Sequence, residues 1–424
     1  MKHFNASPEH NASLCILAFD ISRDKLNVFT RIAGREHDLE FANDIPTIET
    51  ELRALAARAR IAGAERVLVV AESTGPYHRP LMRIARQLQL ETAWVSPEAV
   101  AKMRVIETND TGKTDLKDPR VIHSLASLGK LLRHRELPEP YNLLREHNSL
   151  YEEAEVGVVQ AKCAIHDHLR ALFPDFGFKK DFLFGPSGQA LFKHYSCNPY
   201  EIINAGRKRF FERMKKAVPG IRRSSLERLF EQAEKSVRLD LQPRYVAALE
   251  LRLRRAWEDY ERHEQRRQET KHLMEALYRE ARRQDPHLPA GKKGVITDFH
   301  LARIIAEAGP LGDFSSWREL LRFAGLNLRE KQSGTFRGKT RISRKGRPLL
   351  RKSLSQIVLP LVKKGALYGD YYHGKRNNEK MPGSKAITAV SRRFLKLLFG
   401  WYKAGTEFDE KRVFVCESRY KKAA

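Results

Sequence analysis

Cysteine is scarce and scattered in this chain. The four thiols, Cys15, Cys163, Cys197 and Cys416, contain no C-x-x-C pair, so neither a zinc knuckle nor a disulfide framework organises the fold. They read as structural or incidental. Long apolar runs are missing too: none approaches the ~20 residues that a bilayer-spanning helix needs, and no charged-then-apolar signal segment opens the sequence. A soluble, cytoplasmic protein is expected. Acidic residues are also in short supply, 52 Asp and Glu against 78 Lys and Arg, for a formal net charge of +26. That imbalance argues against an enzyme of small neutral metabolites and favours a polyanionic partner bound through counterion release, with nucleic acid the leading candidate.

With 424 residues, the chain is long enough for two or three domains, each with its own core. Residues 14–30, "LCILAFDISRDKLNVFT", predict two strands joined by a tight turn, and "HDLEFAN" a third. A helix follows over Ile45 to Ala62, then a buried strand "ERVLVVAEST", a helix "RPLMRIARQLQL" and a short strand "TAWVSP". Two further helices, "PEAVAKMRVIE" and "DLKDPRVIHSLASLGKLL", complete an α/β layer region ending near Arg135, with the proline-bearing "ELPEPYN" as the boundary. Two long charged helices, Tyr141 to Leu172 and about Gln242 to Arg283, read as coiled-coil spacer arms. Between them a small helical insert reads as a solvated, mobile connector without chemistry. From about Gly291 the chain is mainly helical, with helices over Asp298 to Ala308, Ser316 to Ala324, Arg347 to Lys364 and Lys385 to Lys403. The fold class is therefore α/β plus α, divided as 1–135, 136–290 and 291–424.

Four acids stand out by placement: Asp20 and Glu72 at strand ends, and Asp115 with Asp118 at a helix start. Strand-end acids in an α/β sheet point into the crevice where ligands usually bind, and the spacing of three puts Asp115 and Asp118 on one helix face. Such a cluster repels itself unless cations fill it, and hard carboxylate oxygens select Mg²⁺ or Mn²⁺ over zinc. Two ions ~3.5 to 4 Å apart would activate a nucleophile and stabilise the leaving oxygen of a phosphodiester. Each acid alone is better explained as a turn residue or a complement to the helix dipole; the set of four carries the reading.

The stretch "EKQSGTFRGKTRISRKGRPLLRK" sets Ser333 before Gly334 and a dense run of cations, among them Arg337, Lys339, Arg341, Arg344 and Lys345. That density suits a phosphate-binding surface, with Gly338 and Gly346 expected to hold the loop close to its ligand. A serine hydroxyl is a weak nucleophile until a group accepts its proton, and no histidine lies nearby in sequence. Taken locally, Ser-Gly is ordinary loop punctuation. Tyr77 is expected to pack rather than stack on a base, and His123 to be structural.

Taken together, these residues resemble the DEDD-type transposases of bacterial insertion sequences, the bridge-RNA-guided serine recombinases related to pilin-gene invertases. "AFDISRDKLNV", "VVAESTGPYHRPL" and "GKTDLKDPRVI" are similar to that family's three acidic motifs. "LRFAGLNLREKQSGTFRGKTRISRKGRPLLRKSL" is similar to its serine motif and is the most specific of the four. The resemblance spans about Leu14 to Phe408. It implies an N-terminal RNase H-like (RuvC-like) domain whose tetrad Asp20, Glu72, Asp115 and Asp118 binds Mg²⁺, a coiled-coil spacer, and a C-terminal transposase domain. It further implies that Ser333 forms a phosphoserine link to DNA while acids of a neighbouring subunit assist. Dimers pairing into tetramers around donor DNA, target DNA and a structured noncoding RNA, in a bacterial cell at the nucleoid, complete the implied picture. One departure is "AGKKGVITDF", where lysines replace the apolar residues of the family's helix-hairpin-helix turn. Two other readings compete: a metal-only RuvC-like nuclease in which Ser333 binds backbone, and a non-enzymatic nucleic-acid-binding protein, which the ordered acids disfavour.

Overall fold

The computed structural model of the chain describes residues 14–72, 75–108, 117–330, 332–333, 336–338 and 340–408. They fall into two compact units, Met1–Leu137 and Pro138–Ala424.

In the first unit the chain runs β1 (Leu14–Ile21), β2 (Lys25–Ile32), β3 (Arg35–Ala42), α1 (Ile45–Ile61), β4 (Arg66–Glu72), α2 (Arg79–Gln87), β5 (Glu91–Val95), α3 (Pro97–Thr108), α4 (Lys117–Ser127) and β6 (Leu132–Arg133). The six strands form one sheet in the order β3-β2-β1-β4-β5-β6. β1, β2 and β3 are an antiparallel meander, β4 and β5 run parallel to β1, and β6 is antiparallel to β5. Central strands β1 and β4 are near-continuous apolar runs because helices cover both of their faces. At the edge, β3 alternates half-buried and exposed, mostly charged positions, "REHDLEFA", which discourages pairing with a further strand. α1 starts where Asp44 accepts a hydrogen bond from the Thr47 amide at 3.0 Å, with Pro46 in the first turn.

The two faces of the sheet carry separate cores. Cys15, Leu17 and Phe19 of β1 and Val67, Val69 and Ala71 of β4 pack with α1 and α2. The alternate residues, Ile16, Ala18, Leu68 and Val70, pack with Val121, Ile122 and Leu125 of α4. This period-two division decides which strand-end residues share a face.

The second unit opens with α5 (Glu139–Leu172) and continues through α6 (Lys180–Phe184), α7 (Pro186–Tyr195), α8 (Pro199–Ala205), α9 (Arg207–Ala217) and α10 (Arg223–Ser236) to α11 (Pro243–Gln284). α5 and α11 lie antiparallel: the Lys162 ammonium sits over the Tyr260 ring, and Gly157 faces His263. A Cβ at Gly157 would stand 2.4 Å from that imidazole, so any larger residue would force the His263 ring to move. Contrary to the expected solvated connector, the insert α6 to α10 is packed. Phe210, Met214, Leu226 and Leu229 are buried in one core with the ends of the two long helices, and Phe192 stacks on Trp257 with ring centroids 4.1 Å apart.

Beyond α11 come α12 (Asp298–Ala308), α13 (Trp317–Phe323), the short strands β7 (Leu328–Arg329), β8 (Gln332–Ser333), β9 (Phe336–Arg337) and β10 (Arg341–Ile342), then α14 (Pro348–Leu361), α15 (Gly369–Asn377) and α16 (Gly383–Ala404). The sequence reading missed α15 and the four short strands. Among the described residues no helix is long and apolar enough to cross a membrane.

Candidate active site

Asp20 ends the series Ile16, Ala18, and Glu72 ends the series Leu68, Val70, so strand alternation turns both carboxylates toward the face that α4 covers. The strands are adjacent and parallel, in register as far as Phe19 opposite Ala71, so Asp20 and Glu72 occupy the next step at the carboxyl ends of both. That end of an open α/β sheet is where ligands bind. One Asp20 oxygen also accepts the Ile21 amide at 3.0 Å, which helps orient the carboxylate.

α4 lies across this face and is tied to the far side of the sheet. Arg120 donates to Glu36 Oε2 at 2.7 Å and Asp38 Oδ2 at 2.5 Å on β3, and its guanidinium lies 4.5 Å from the Phe29 ring centre. His123 meets the same ring edge-on. Burial, reinforced by the positive charge of Arg31, pushes the His123 imidazole down to about 4, so it is neutral near pH 7 and acts as packing. The expectation of a structural histidine holds. Tyr77 differs from expectation: it is 44% exposed rather than packed.

Asp118, in the first turn of α4, is buried with 1% exposure. Its Oδ1 accepts both Nε of Arg104 at 2.9 Å and Nη2 at 2.6 Å, an α3 to α4 ion pair that compensates the buried charge. Asp115 lies outside the described residues, as does the helix face that it was expected to share with Asp118. Thus the sheet gathers Asp20 and Glu72, the covering helix carries Asp118, and Arg104 emerges as a partner that sequence reading did not find. Oxygen-only donors of this kind suit a hard divalent cation. Among the described residues no three His, Cys, Asp or Glu side chains are grouped closely enough to hold an ion.

Ser333 sits on a β-ribbon. β7 pairs with β10, Arg329 opposite Arg341, and further out β8 pairs with β9, Gln332 opposite Arg337 and Ser333 opposite Phe336. Ser333 is thus the last paired residue before the tip, and the loop expected there is a hairpin. Lys339 lies outside the described residues, and only the backbone of Arg337 is described. Arg341, Arg344 and Lys345 are exposed near the base of the ribbon.

That base is held by backbone contacts and by close packing. The amides of Ser343 and Arg344 donate to Asn327 O at 2.8 Å and Gly325 O at 3.0 Å. Gly346 approaches residues 323 to 325 so closely that a Cβ would stand 2.3 Å from Phe323 O. Its role differs from the expected one: Gly346 lets the loop close on its own chain.

Below the ribbon, Arg347 donates to Glu307 Oε2 at 3.1 Å, and Glu307 also accepts from Asn148 Nδ2 at 3.0 Å. Glu152 pairs with both Arg303 and Lys352, and Arg303 reaches Gln356 Oε1 at 2.8 Å. These links form a mostly buried polar lattice that joins α5, α12 and α14, the last being the helix that follows the basic loop. The one local sign in the sequence is the i, i+4 pair Arg303 and Glu307 inside the otherwise apolar "FHLARIIAEA". At "AGKKGVITDF", the Gly291 amide donates to Asp298 Oδ1 at 2.7 Å and Lys292 pairs with Ile296. The turn persists, with its two lysines exposed.

Two comparisons bear on these elements. The DEDD transposase profile of the IS110 type matches residues 19–174, which include all four acids, and the transposase IS116/IS110/IS902 family profile matches residues 295–373, which include Ser333. No curated protein matches the chain. DEDD transposase domains are typically dependent on divalent metal. Together the two matches span more than half of the chain, with the acids in one and the serine ribbon in the other, so this is a transposase of the IS110/IS116/IS902 family, an enzyme that cleaves and rejoins DNA.

Proposed function

We propose that this transposase exchanges DNA strands with Ser333 as its nucleophile and the tetrad Asp20, Glu72, Asp115 and Asp118 as the holder of Mg²⁺, guided by a structured noncoding bridge RNA. The observation that carries the reading is the alignment of Asp20 and Glu72 on one face at the ends of adjacent parallel strands. Two carboxylates at neighbouring strand ends offer hard oxygen donors that suit a divalent cation. A divalent ion held there would neutralise charge on the reacting phosphate.

Ser333 Oγ bonds to a DNA phosphorus as one P–O bond of the strand breaks, the serine proton leaves and the departing sugar oxygen takes one up. A hydroxyl of the partner strand then reverses the step, freeing the serine and sealing the new junction. Retention of the phosphoester bond energy in the protein link lets rejoining proceed without an external energy source. Arg341, Arg344 and Lys345, with Arg337 and Lys339 of the same run, hold the DNA backbone and offset charge in the transition state. Ser333 pairs next to the tip of the ribbon, whose base the Arg347–Glu307 contact anchors. The division into an RNase H-like domain, a coiled-coil spacer and a transposase domain, and assembly as dimers pairing into tetramers, belong to the same proposal.

The test is a covalent protein–DNA adduct, trapped on cognate DNA with the guide RNA taken from sequence flanking the gene. The adduct is expected in the native chain and in Ser384→Ala, whose serine is remote in sequence and exposed, and is expected to vanish in Ser333→Ala. Recombination by Ser333→Ala overturns the serine mechanism in favour of metal-only cleavage.

A further inference from the structure

The insert between the two long helices lies outside both family matches. Between Arg207 and Arg223 it carries eight lysines and arginines against one glutamate. We infer that α9 and the turn after it form a second nucleic-acid-binding surface, which grips phosphodiester backbone apart from the serine ribbon.

The first support is orientation. Phe210 and Met214, one turn apart, are fully buried, and this anchors one face of α9 in the insert core. Lys208, Arg209, Lys215 and Lys216 are exposed on the remainder, and the helix is about 16 Å long at ~1.5 Å per residue. It therefore presents a rigid cationic strip, since its backbone is set by packing.

The second support is a local rule broken without structural return. A helix start favours acids, because the dipole leaves it partially positive. α9 begins instead with Arg207, Lys208 and Arg209, with no acid in its first turn and no side-chain cap at Gly206. α10 repeats the pattern, with Arg222 at its cap, Arg223 next and again no acid in the first turn. Arg207 pairs with Glu234 and Arg223 with Glu227, but among the described residues no carboxylate pairs with Lys208, Arg209, Lys215, Lys216 or Arg222. Charge placed against the dipole and left unneutralised is destabilising in isolation, and is retained where an anion supplies the missing partner.

The third support concerns the kind of anion. No large apolar side chain is exposed between residues 207 and 223, and a protein interface needs an apolar centre. Two of the guanidiniums rest on aromatic rings, Arg207 over Phe230 at 5.0 Å and Arg213 over Tyr195 at 5.9 Å. They are thereby held at the surface with less freedom to lose on binding. A regular phosphate backbone suits such a strip; duplex DNA and structured RNA both supply one.

The experiment measures binding of the full chain to a fluorescent DNA duplex and, separately, to a structured RNA of equal length, over 50 to 300 mM salt. The variant is Lys208→Gln/Arg209→Gln/Lys215→Gln/Lys216→Gln, with Lys215→Glu/Lys216→Glu as a second and smaller change. Each cation withdrawn from a duplex phosphate lowers the slope of log affinity against log salt by about 0.9, and each one withdrawn from a single strand by about 0.7. A decrease of about two units, which is about hundredfold in affinity at 0.1 M salt, is expected for at least one of the two ligands. The ligand affected identifies which nucleic acid the insert holds. Thermal stability of the quadruple variant should be unchanged or higher, since two cations leave a helix start. Unchanged slopes for both ligands overturn the inference. Arg344→Gln measured in parallel reports on the serine loop, so failure there is read separately.

Discussion

Arg344 holds a backbone φ of 55°, in the left-handed region that glycine enters freely. An arginine there costs on the order of 1 kcal/mol, yet its backbone amide alone makes the contact to Gly325 O that closes the ribbon base. Glycine would keep that bond and relieve the strain, although it also loosens the unfolded chain. Arg344→Gly is therefore expected to leave the melting temperature unchanged or slightly raised. It should weaken DNA binding severalfold and lower the salt slope by about 0.9. Differential scanning fluorimetry and salt-dependent binding on the same preparation check both; a drop in stability larger than the drop in affinity would make Arg344 structural. The contrast with Gly346 is physical: there a Cβ meets the carbonyl of Phe323, so the glycine has a steric reason, whereas the arginine at 344 has none.

At the scale of elements, the second unit relies on charge inside its helical core. Arg303 is 3% exposed and Glu152 7% exposed, and the pair bridges α12 and α5 while Lys352 brings in α14. A buried ion pair is weak support compared with an apolar replacement, but removal of one partner strands the other. Glu152→Ala is expected to lose about 3 to 5 kcal/mol in chemical unfolding, while Glu152→Met/Arg303→Met should recover most of it. A loss below about 1 kcal/mol in the single variant would show that the lattice is not a support. Its position beneath the basic loop gives this stability a functional consequence, because α14 carries Arg347 at its start.

At the scale of the whole molecule, two properties have different origins. Affinity for nucleic acid is favoured by an excess of 26 positive charges, whereas the cleavage proposed above would rest on a few carboxylates in the first unit. Asp20→Asn is expected to abolish strand cleavage while nucleic-acid binding stays within about twofold, because one carboxylate hardly alters the counterion balance. EDTA should stop cleavage by the native chain, and added Mg²⁺ should restore it. Full cleavage in EDTA, without any divalent ion, would refute the role given to the acids.

Much of the architecture was legible because it is periodic. The apolar runs of β1 and β4, the 34 residues of α5 and the 42 of α11 follow from repeats of two and 3.6 that any local window contains. The short strands at Ser333 were not legible, since two-residue ladders have no period and exist through pairing across the hairpin. The insert was misread as a connector because each of its helices is short, and only their shared core makes them one body.

By itself the sequence determined the types of the long periodic elements and the cationic excess, and it singled out Asp20, Glu72, Asp115, Asp118 and Ser333 as candidates. Only the tertiary structure decided that Asp20 and Glu72 share a face, because this depends on the parallel register of strands more than forty residues apart. It also decided that Arg104 neutralises Asp118 and that Arg303 lies buried against Glu152, 151 residues away in the chain. Local patterns reveal which residues avoid water, but the partner of a buried charge is chosen by packing, where chain separation leaves no periodic trace.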